Sequence, residues 1–367
     1  MKKTLHTYDI HGILTVVSDV TLPELKAFTV EREISRPTVR VRLGHVPTDI
    51  DLSPDAGERT VTYVESAGQR GFAIHLRLGE YVEVIASPFL RRSPHVLYTN
   101  VVEPVLRWAF VERGYALVHG ACMAIGDRAF LITARTDTGK TTTVLKTLDA
   151  NPDYSFLSDD LTLVREDGTV LPYPKPLTIS RHTLSAVNTP LLTPMERFTL
   201  IFQARLHSKS GRWFGLMLTR FNLPMATTNA IVQWMVPPPK YPIQRLVPHA
   251  DIAPSAHLSG MVVIERGDSR QLDLSHQEAV DVLLENCEDA YGFPPYADIK
   301  ESLYITRNGD LRTEERRIVH AAMADCPSIA MRSETRNWFQ MLPDFIGRVS
   351  PRPQWASDGL GLESAAD

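Results

Sequence analysis

Gly139-Lys140-Thr141 closes a short turn after the apolar run 129–133, Ala-Phe-Leu-Ile-Thr, and before a segment, 141–148, of helical character. A buried strand, a tight loop and a helix in that order form a phosphate-binding loop. Its backbone N–H groups point inward at phosphate oxygens, and the positive end of the following helix favours the anion. The pattern Gly-x-x-x-x-Gly-Lys-Ser/Thr is kept except at its first position, Ala134. That position leaves the strand extended and tolerates a methyl group. Gly139 is the stricter requirement, because backbone must approach phosphate with no Cβ in the way. The residues expected around the phosphates of a nucleotide such as ATP are Ala134, Arg135, Thr136, Asp137, Thr138, Gly139, Lys140, Thr141 and Thr142. Lys140 is suited to the β- and γ-phosphates, and the Thr141 hydroxyl to Mg²⁺. Arg135 suits phosphate or solvent equally. The bland alternative is an ordinary strand–turn–helix with a surface lysine.

A second constellation follows about twenty residues on. Tyr154-Ser-Phe-Leu-Ser-Asp159-Asp160-Leu-Thr-Leu-Val reads as an apolar strand interrupted by two carboxylates. Strand neighbours face opposite sides, so one Asp can face a metal and nucleotide and the other an incoming hydroxyl. Adjacent carboxylates in an apolar run are costly without compensating cations or hydrogen bonds. A surface turn between two strands is the alternative.

Leu117-Val-His119-Gly120, the loop and Ser158-Asp159-Asp160 together resemble the catalytic domain of HPr kinase/phosphorylase and its HPr-kinase-like relatives. The family order is a His-Gly pair, a strand turn, a strand, the loop, a helix and an Asp-Asp strand, and all occur here in sequence. Pro172-Tyr-Pro-Lys-Pro-Leu-Thr-Ile resembles a proline-punctuated strand of the broader family. The opening Tyr8-Asp-Ile-His-Gly-Ile and Leu22-Pro-Glu-Leu25 are similar to relatives found beside natural-product and cell-surface pathway genes. The specific resemblance covers roughly residues 113–182. It implies an α/β fold: an HPr-kinase- and PEP-carboxykinase-like P-loop nucleotide domain, here preceded by a small β-rich N-terminal domain. It implies phosphoryl transfer from a nucleotide to a hydroxyl, with Asp159 matching the general base and Asp160 a metal-side carboxylate. Thr141 and Asp160 are then the Mg²⁺ residues. His119 matches an active-site histidine that orients Asp159 or meets the γ-phosphate, and Lys140 matches the phosphate lysine. Lys175 and Arg181 are further cations that can neutralise charge or lie on the surface. The family's habit of forming rings makes a homo-oligomer an expectation.

This chain departs from the family pattern. Ala134 replaces glycine, and Thr142 stands where HPr kinases proper carry glutamate. The arginine-rich signature for the protein substrate and the reverse reaction is not found, which argues against HPr as acceptor and against phosphorolysis. The expected activity is an ATP- and Mg²⁺-dependent kinase acting on a hydroxyl of a small molecule, sugar or peptide. A protein serine kinase of the HPr-kinase type and a catalytically inactive nucleotide-binding regulatory protein stay open beside it.

The 367 residues, 43% of them hydrophobic, can bury one or two cores. The net charge of −4 and the lack of a basic stripe argue against nucleic acid. Three widely spaced cysteines, Cys122, Cys287 and Cys326, read as reduced thiols of a cytoplasmic protein. The histidines show no paired zinc spacing. The apolar run 13–17 is too short for a signal peptide or a membrane span.

The predicted organisation is a β-rich domain over 1–100, a catalytic domain with C-terminal helices over 101–347 and a disordered tail over 348–367. Period-two runs near 39–43, 60–64, 72–78 and 81–85 predict a small antiparallel unit. Residues 101–113 read as an amphipathic helix with Val102, Val105, Leu106, Ala109 and Phe110 on one face. Gly168 marks a hairpin. Within 183–225, Arg212, Trp213, Phe214, Arg220 and Phe221 suit a pocket lining or a plain core-and-surface pattern. Residues 231–236 read as a strand. Six prolines between Pro237 and Pro254 suggest a long loop over the site or a rigid connector. Residues 257–265 read as a core strand, Ser275 to Glu278 as a capping box opening a helix, and 313–323 and 333–342 as two further helices.

Overall fold

A computed structural model describes residues 5–47, 58–136, 138–179, 183, 224–291, 294–307 and 309–349. Asp137, Arg181, the aromatic and basic residues of 212–221 and the tail from 350 lie outside them.

The architecture is mixed α/β. The first sheet holds β1 (His6–Ile10), β2 (Leu14–Ser18), β3 (Val39–Leu43), β4 (Arg59–Val64), β5 (Ala73–Leu78) and β6 (Val82–Ala86). Its order is β1-β2-β3-β6-β5-β4. Alternation drives it: Val39, Val41 and Leu43 are buried, while Arg40 and Arg42 face outward. The expected all-antiparallel pairing is corrected, because β2–β3 and β3–β6 are parallel. Residues 19–38 separate β2 from β3, long enough for a crossover, and the β4–β5 hairpin inserts before β6.

A short helix α1 (Pro94–Leu97), a π-helical turn and α2 (Glu103–Val111) lead into the second sheet. The amphipathic reading of α2 is also corrected, since every residue from Glu103 to Val111 is buried. A helix packed on all sides must be apolar all round or pair its charges. α2 contributes Val105, Leu106, Ala109 and Phe110 to a buried cluster that joins residues of both sheets.

The second sheet contains β7 (Tyr115–His119), β8 (Ala121–Ile125) and β9 (Arg128–Thr133), then α3 (Lys140–Ala150), β10 (Tyr154–Ser158), β11 (Leu161–Arg165) and β12 (Thr169–Leu171). β7 runs into β8 through Gly120, and β10 into β11 through Asp159-Asp160. The two long strands pair antiparallel on either side of these breaks. The expected single strand through Asp159-Asp160 is therefore two strands with a bend, and both carboxylates sit in the bend. A side chain at Gly120 would meet Leu131 Cδ1 at 2.8 Å and the Ile132 carbonyl at 3.2 Å, so glycine suits the close packing of the kink. Gly168, at φ 81°, turns β11 into β12 as predicted.

Two residues form β13 (Leu177–Thr178), which pairs with β14 (Lys240–Tyr241). Between them lies α4 (Met225–Met235), which replaces the strand expected over 231–236. Tertiary contact decides the matter: the Glu65 carboxylate accepts from the Ala226 and Thr227 amides at 2.8 Å and anchors the helix start. The proline-rich stretch holds β14 and α5 (Ile243–Leu246) and buries Ile243, Leu246 and Val247, so it is a packed connector.

β15 (Ala256–Arg266) is the expected core strand, and β16 (Arg270–Leu274) follows it. Next come α6 (His276–Ala290), with the capping box on Ser275 and Glu278 as predicted, and α7 (Tyr296–Leu303). They are followed by β17 (Ile305–Thr306), β18 (Gly309–Asp310), α8 (Leu311–Ala322), β19 (Ser328–Ser333) and α9 (Trp338–Val349). The last helix starts five residues later than expected, because Ser333 still pairs with Arg266 in the sheet. β15 pairs in parallel with β9 and antiparallel with β12. The path β8-β9-β15-β12-β11-β7 thus returns to its start through Gly120. At that closure His119, the Asp159-Asp160 bend and the end of β9 meet. Among the described residues no helix is long and apolar enough to cross a membrane.

Candidate active site

The loop 134–139 leaves the C-terminal end of β9 and enters α3 at Lys140. Gly139 adopts φ 136°, a region open to glycine, and a Cβ there would meet the Trp338 ring at 3.2 Å. The sequence requirement for glycine therefore has two local causes. Ala134 is buried where the strand ends, and Arg135 and Thr136 are exposed. Thr138 donates its hydroxyl to the Arg135 carbonyl at 2.8 Å and tightens the turn. Thr141 and Thr142 are partly buried in the first turn of α3.

Lys140 is buried and bends back, with Nζ 2.6 Å from His119 Nε2 and 3.2 Å from the Ala134 carbonyl. Burial pushes its pKa below the ordinary lysine value, and the nearby Asp160 and Asp159 carboxylates resist that shift. His119 Nδ1 lies 2.9 Å from the Asn286 carbonyl, so Nδ1 carries the hydrogen and Nε2 accepts from Lys140. The Asn286 side chain donates to Thr133 Oγ1, which in turn donates to the His119 carbonyl. The Cys287 thiol accepts from the His119 amide at 3.1 Å. α6 thereby fixes the histidine against the end of β9.

The two carboxylates of the bend have different surroundings. Asp159 is buried, and its Oδ2 accepts from Thr141 Oγ1 at 3.0 Å. Its Oδ1 is buried with no partner. Burial, reinforced by the Asp160 charge, raises the Asp159 pKa to about 6. The side chain of Asp160 is half exposed and lies 3.0 Å from Lys175 Nζ and 3.3 Å from His119 Nε2. Burial opposes its ionisation, but the Lys175 ammonium, with Lys140 beyond it, outweighs that effect and holds its pKa well below the usual carboxylate value. Lys175 also bonds the buried Glu103 at 2.7 Å, so it is not a surface residue.

Lys140, Thr141, His119, Asp159 and Asp160, singled out in the sequence, thus come together in one place. Thr141 touches Asp159, and Asp160 pairs with Lys175. Sequence reasoning gave no role to Glu103 or to the backbone of Asn286. Glu103 carried a signal: a carboxylate in a helix of apolar neighbours must be paired. A polar cavity of roughly 540 Å³ opens beside the loop, lined in part by Arg135, Asn286, Glu285 and Arg316. Cys122, Cys287 and Cys326 are free and buried.

Among the described residues no cluster of three or more His, Cys, Asp or Glu could cage a metal. Mg²⁺ does not require one, because it takes one or two protein oxygens and completes its shell with water and phosphate. The Thr141 hydroxyl, the unpartnered Asp159 Oδ1 and Asp160 are hard oxygen donors of that kind. No protein-family model matches the chain, and no curated protein is significantly similar to it.

Proposed function

We propose that this chain is an ATP- and Mg²⁺-dependent kinase that transfers the γ-phosphoryl group to a hydroxyl of a small molecule, sugar or peptide. An HPr-kinase-like nucleotide domain goes with that reading. One observation carries it: a buried carboxylate with a free oxygen, Asp159 Oδ1, stands one hydrogen bond from the first turn of a glycine-lysine-threonine loop.

Phosphoryl transfer asks the protein mainly for alignment and charge neutralisation. Lys140 exchanges His119 and the Ala134 carbonyl for the β- and γ-phosphate oxygens. The amides at the start of α3 cradle the same oxygens. Thr141 with Asp160 would hold Mg²⁺, which supplies neutralisation of phosphate charge when bound. Asp159 accepts the acceptor's proton through Oδ1. The acceptor O–H bond breaks, its oxygen bonds to the γ-phosphorus, and the bond to the β–γ bridging oxygen breaks to release ADP. A pKa of about 6 suits the base: Asp159 is largely ionised at neutral pH yet far more basic than a solvated aspartate. His119 holds its orientation through Asn286 and stores the loop lysine on Nε2 until phosphate takes it.

Titration calorimetry with ATP and Mg²⁺, followed by label transfer from γ-labelled ATP to a fractionated extract, tests the reading. Micromolar binding and a labelled product stable to hydroxylamine, as a phosphate ester is and an acyl phosphate is not, are expected. A chain that binds no nucleotide at millimolar concentration would end it.

A further inference from the structure

We infer that Lys175, anchored by Glu103, is a positioning residue that keeps Asp160 from capturing the loop lysine. This rests on the proposed nucleotide site and names a residue that no loop motif contains. Five groups of the site stand in a row. Glu103 Oε2 is 2.7 Å from Lys175 Nζ, which is 3.0 Å from Asp160 Oδ2. Asp160 Oδ1 is 3.3 Å from His119 Nε2, and that nitrogen is 2.6 Å from Lys140 Nζ. Five separate segments of the chain supply them: α2, the end of β7, the start of α3, the bend between β10 and β11, and the stretch before β13.

Asp160 faces two lysines with one charge. Lys175 contacts it directly, whereas Lys140 bonds His119 Nε2, the same nitrogen that Asp160 approaches. Lys175 is buried, and Glu103 behind it belongs to a helix that is buried throughout, so this ammonium cannot swing away. The Tyr98 ring, 5.7 Å from Nζ, packs against it, and Tyr98 is itself fixed by a 2.7 Å hydrogen bond to Tyr173. With Lys175 in place Asp160 is satisfied, and Lys140 stays held only by neutral acceptors, His119 Nε2 and the Ala134 carbonyl. Neutral partners are weaker than a carboxylate and easier to leave for phosphate. Without Lys175, Asp160 becomes a partly buried anion with no direct lysine partner, and Lys140 is the next cation in reach. A loop lysine paired to a carboxylate has to break that pair before it can hold phosphate.

The test reads ADP affinity by calorimetry in EDTA, so that a metal role of Asp160 does not enter. Lys175→Met is expected to weaken ADP about tenfold, the cost of one competing ion pair. Adding Asp160→Asn removes the competitor, and the double variant should bind within about threefold of wild type. Lys175→Arg should stay near wild type, with thermal melts confirming that each variant folds. Unchanged affinity in Lys175→Met overturns the inference. So does a weakened Lys175→Met that Asp160→Asn fails to restore, because the residue would then support the fold or touch phosphate itself. A wild-type chain that does not bind ADP overturns the kinase reading instead.

Discussion

Lys140 Nζ lies 2.6 Å from His119 Nε2, and both side chains are buried. The histidine's other nitrogen is committed to the Asn286 carbonyl, so the lysine donates and the imidazole accepts. The loop lysine is therefore stored against a neutral base at the closure of the second sheet. Its removal and its use have separable consequences.

Lys140→Ala should raise the dissociation constant for ATP at least 30-fold, since one charge-assisted contact to phosphate is worth about 2 kcal/mol or more. Because burial already depresses the Lys140 pKa, its loss should not lower the melting temperature appreciably. Calorimetry and a thermal melt on the same sample read both effects. A variant that binds ATP normally removes Lys140 from the site.

Asp159→Asn should leave nucleotide affinity within about threefold of wild type and slow transfer by roughly a hundredfold or more, the scale of a positioned base. Single-turnover label transfer checks this. Transfer at the normal rate would remove Asp159 as proton acceptor.

The same carboxylate predicts the acid limb of activity. Its pKa is raised to about 6, so the base is protonated and the rate falls as pH drops through 6. An unshifted aspartate would place that limb near 4. Stability runs the opposite way. A carboxyl whose folded pKa lies above its unfolded value favours the fold at low pH and loses that contribution as pH rises through about 6. Asp159→Asn should therefore be more stable than wild type at pH 8, by on the order of 2 kcal/mol. Chemical denaturation at pH 5 and pH 8 measures the difference, and an equal or less stable variant at pH 8 contradicts the buried ionised state.

Glu24 gives the reverse sign. It is fully buried in the first lobe, 2.6 Å from both His95 Nδ1 and Lys240 Nζ. Burial works against its ionisation, but these two partners outweigh it and lower its pKa to about 2. The contribution is complete above pH 4.5 and is lost as pH falls from there through 2. It amounts to roughly 3 kcal/mol at most. Glu24→Gln should be less stable at pH 7 and lose less on acidification. Parallel curves for variant and wild type between pH 5 and 2.5 would show that the ion pairs contribute nothing.

Gly139→Ala should cost about 1–3 kcal/mol, because φ of 136° is strained for alanine and the new methyl meets Trp338 at 3.2 Å. Trp338→Leu in the same chain should recover only the steric part, as judged by denaturant titration. Full recovery would mean that the backbone at 139 is not constrained.

Read as a chain, the residues announced the loop, the Asp159-Asp160 pair, His119 and the core strand at 257–265. Each is local: a glycine forced by backbone approach, a hairpin glycine at 168, a run of apolar residues, a capping box at Ser275. Period-two patterning gave β3, β4, β5 and β6 of the first sheet but neither β1 and β2 nor the strand directions, because parallel and antiparallel neighbours bury the same alternate side chains. Residues 231–236 looked extended by composition, and a carboxylate from residue 65 made them helical. The sorting of roles within the site was also beyond sequence. Asp159 and Asp160 are adjacent and chemically identical. One becomes a weak acid because burial surrounds it, and the other stays ionised because Lys175 faces it with Lys140 beyond. Those lysines arrive from the stretch before β13 and from the start of α3, brought together by a sheet that closes on itself at Gly120. Charge compensation acts through space, so only the tertiary structure could decide it.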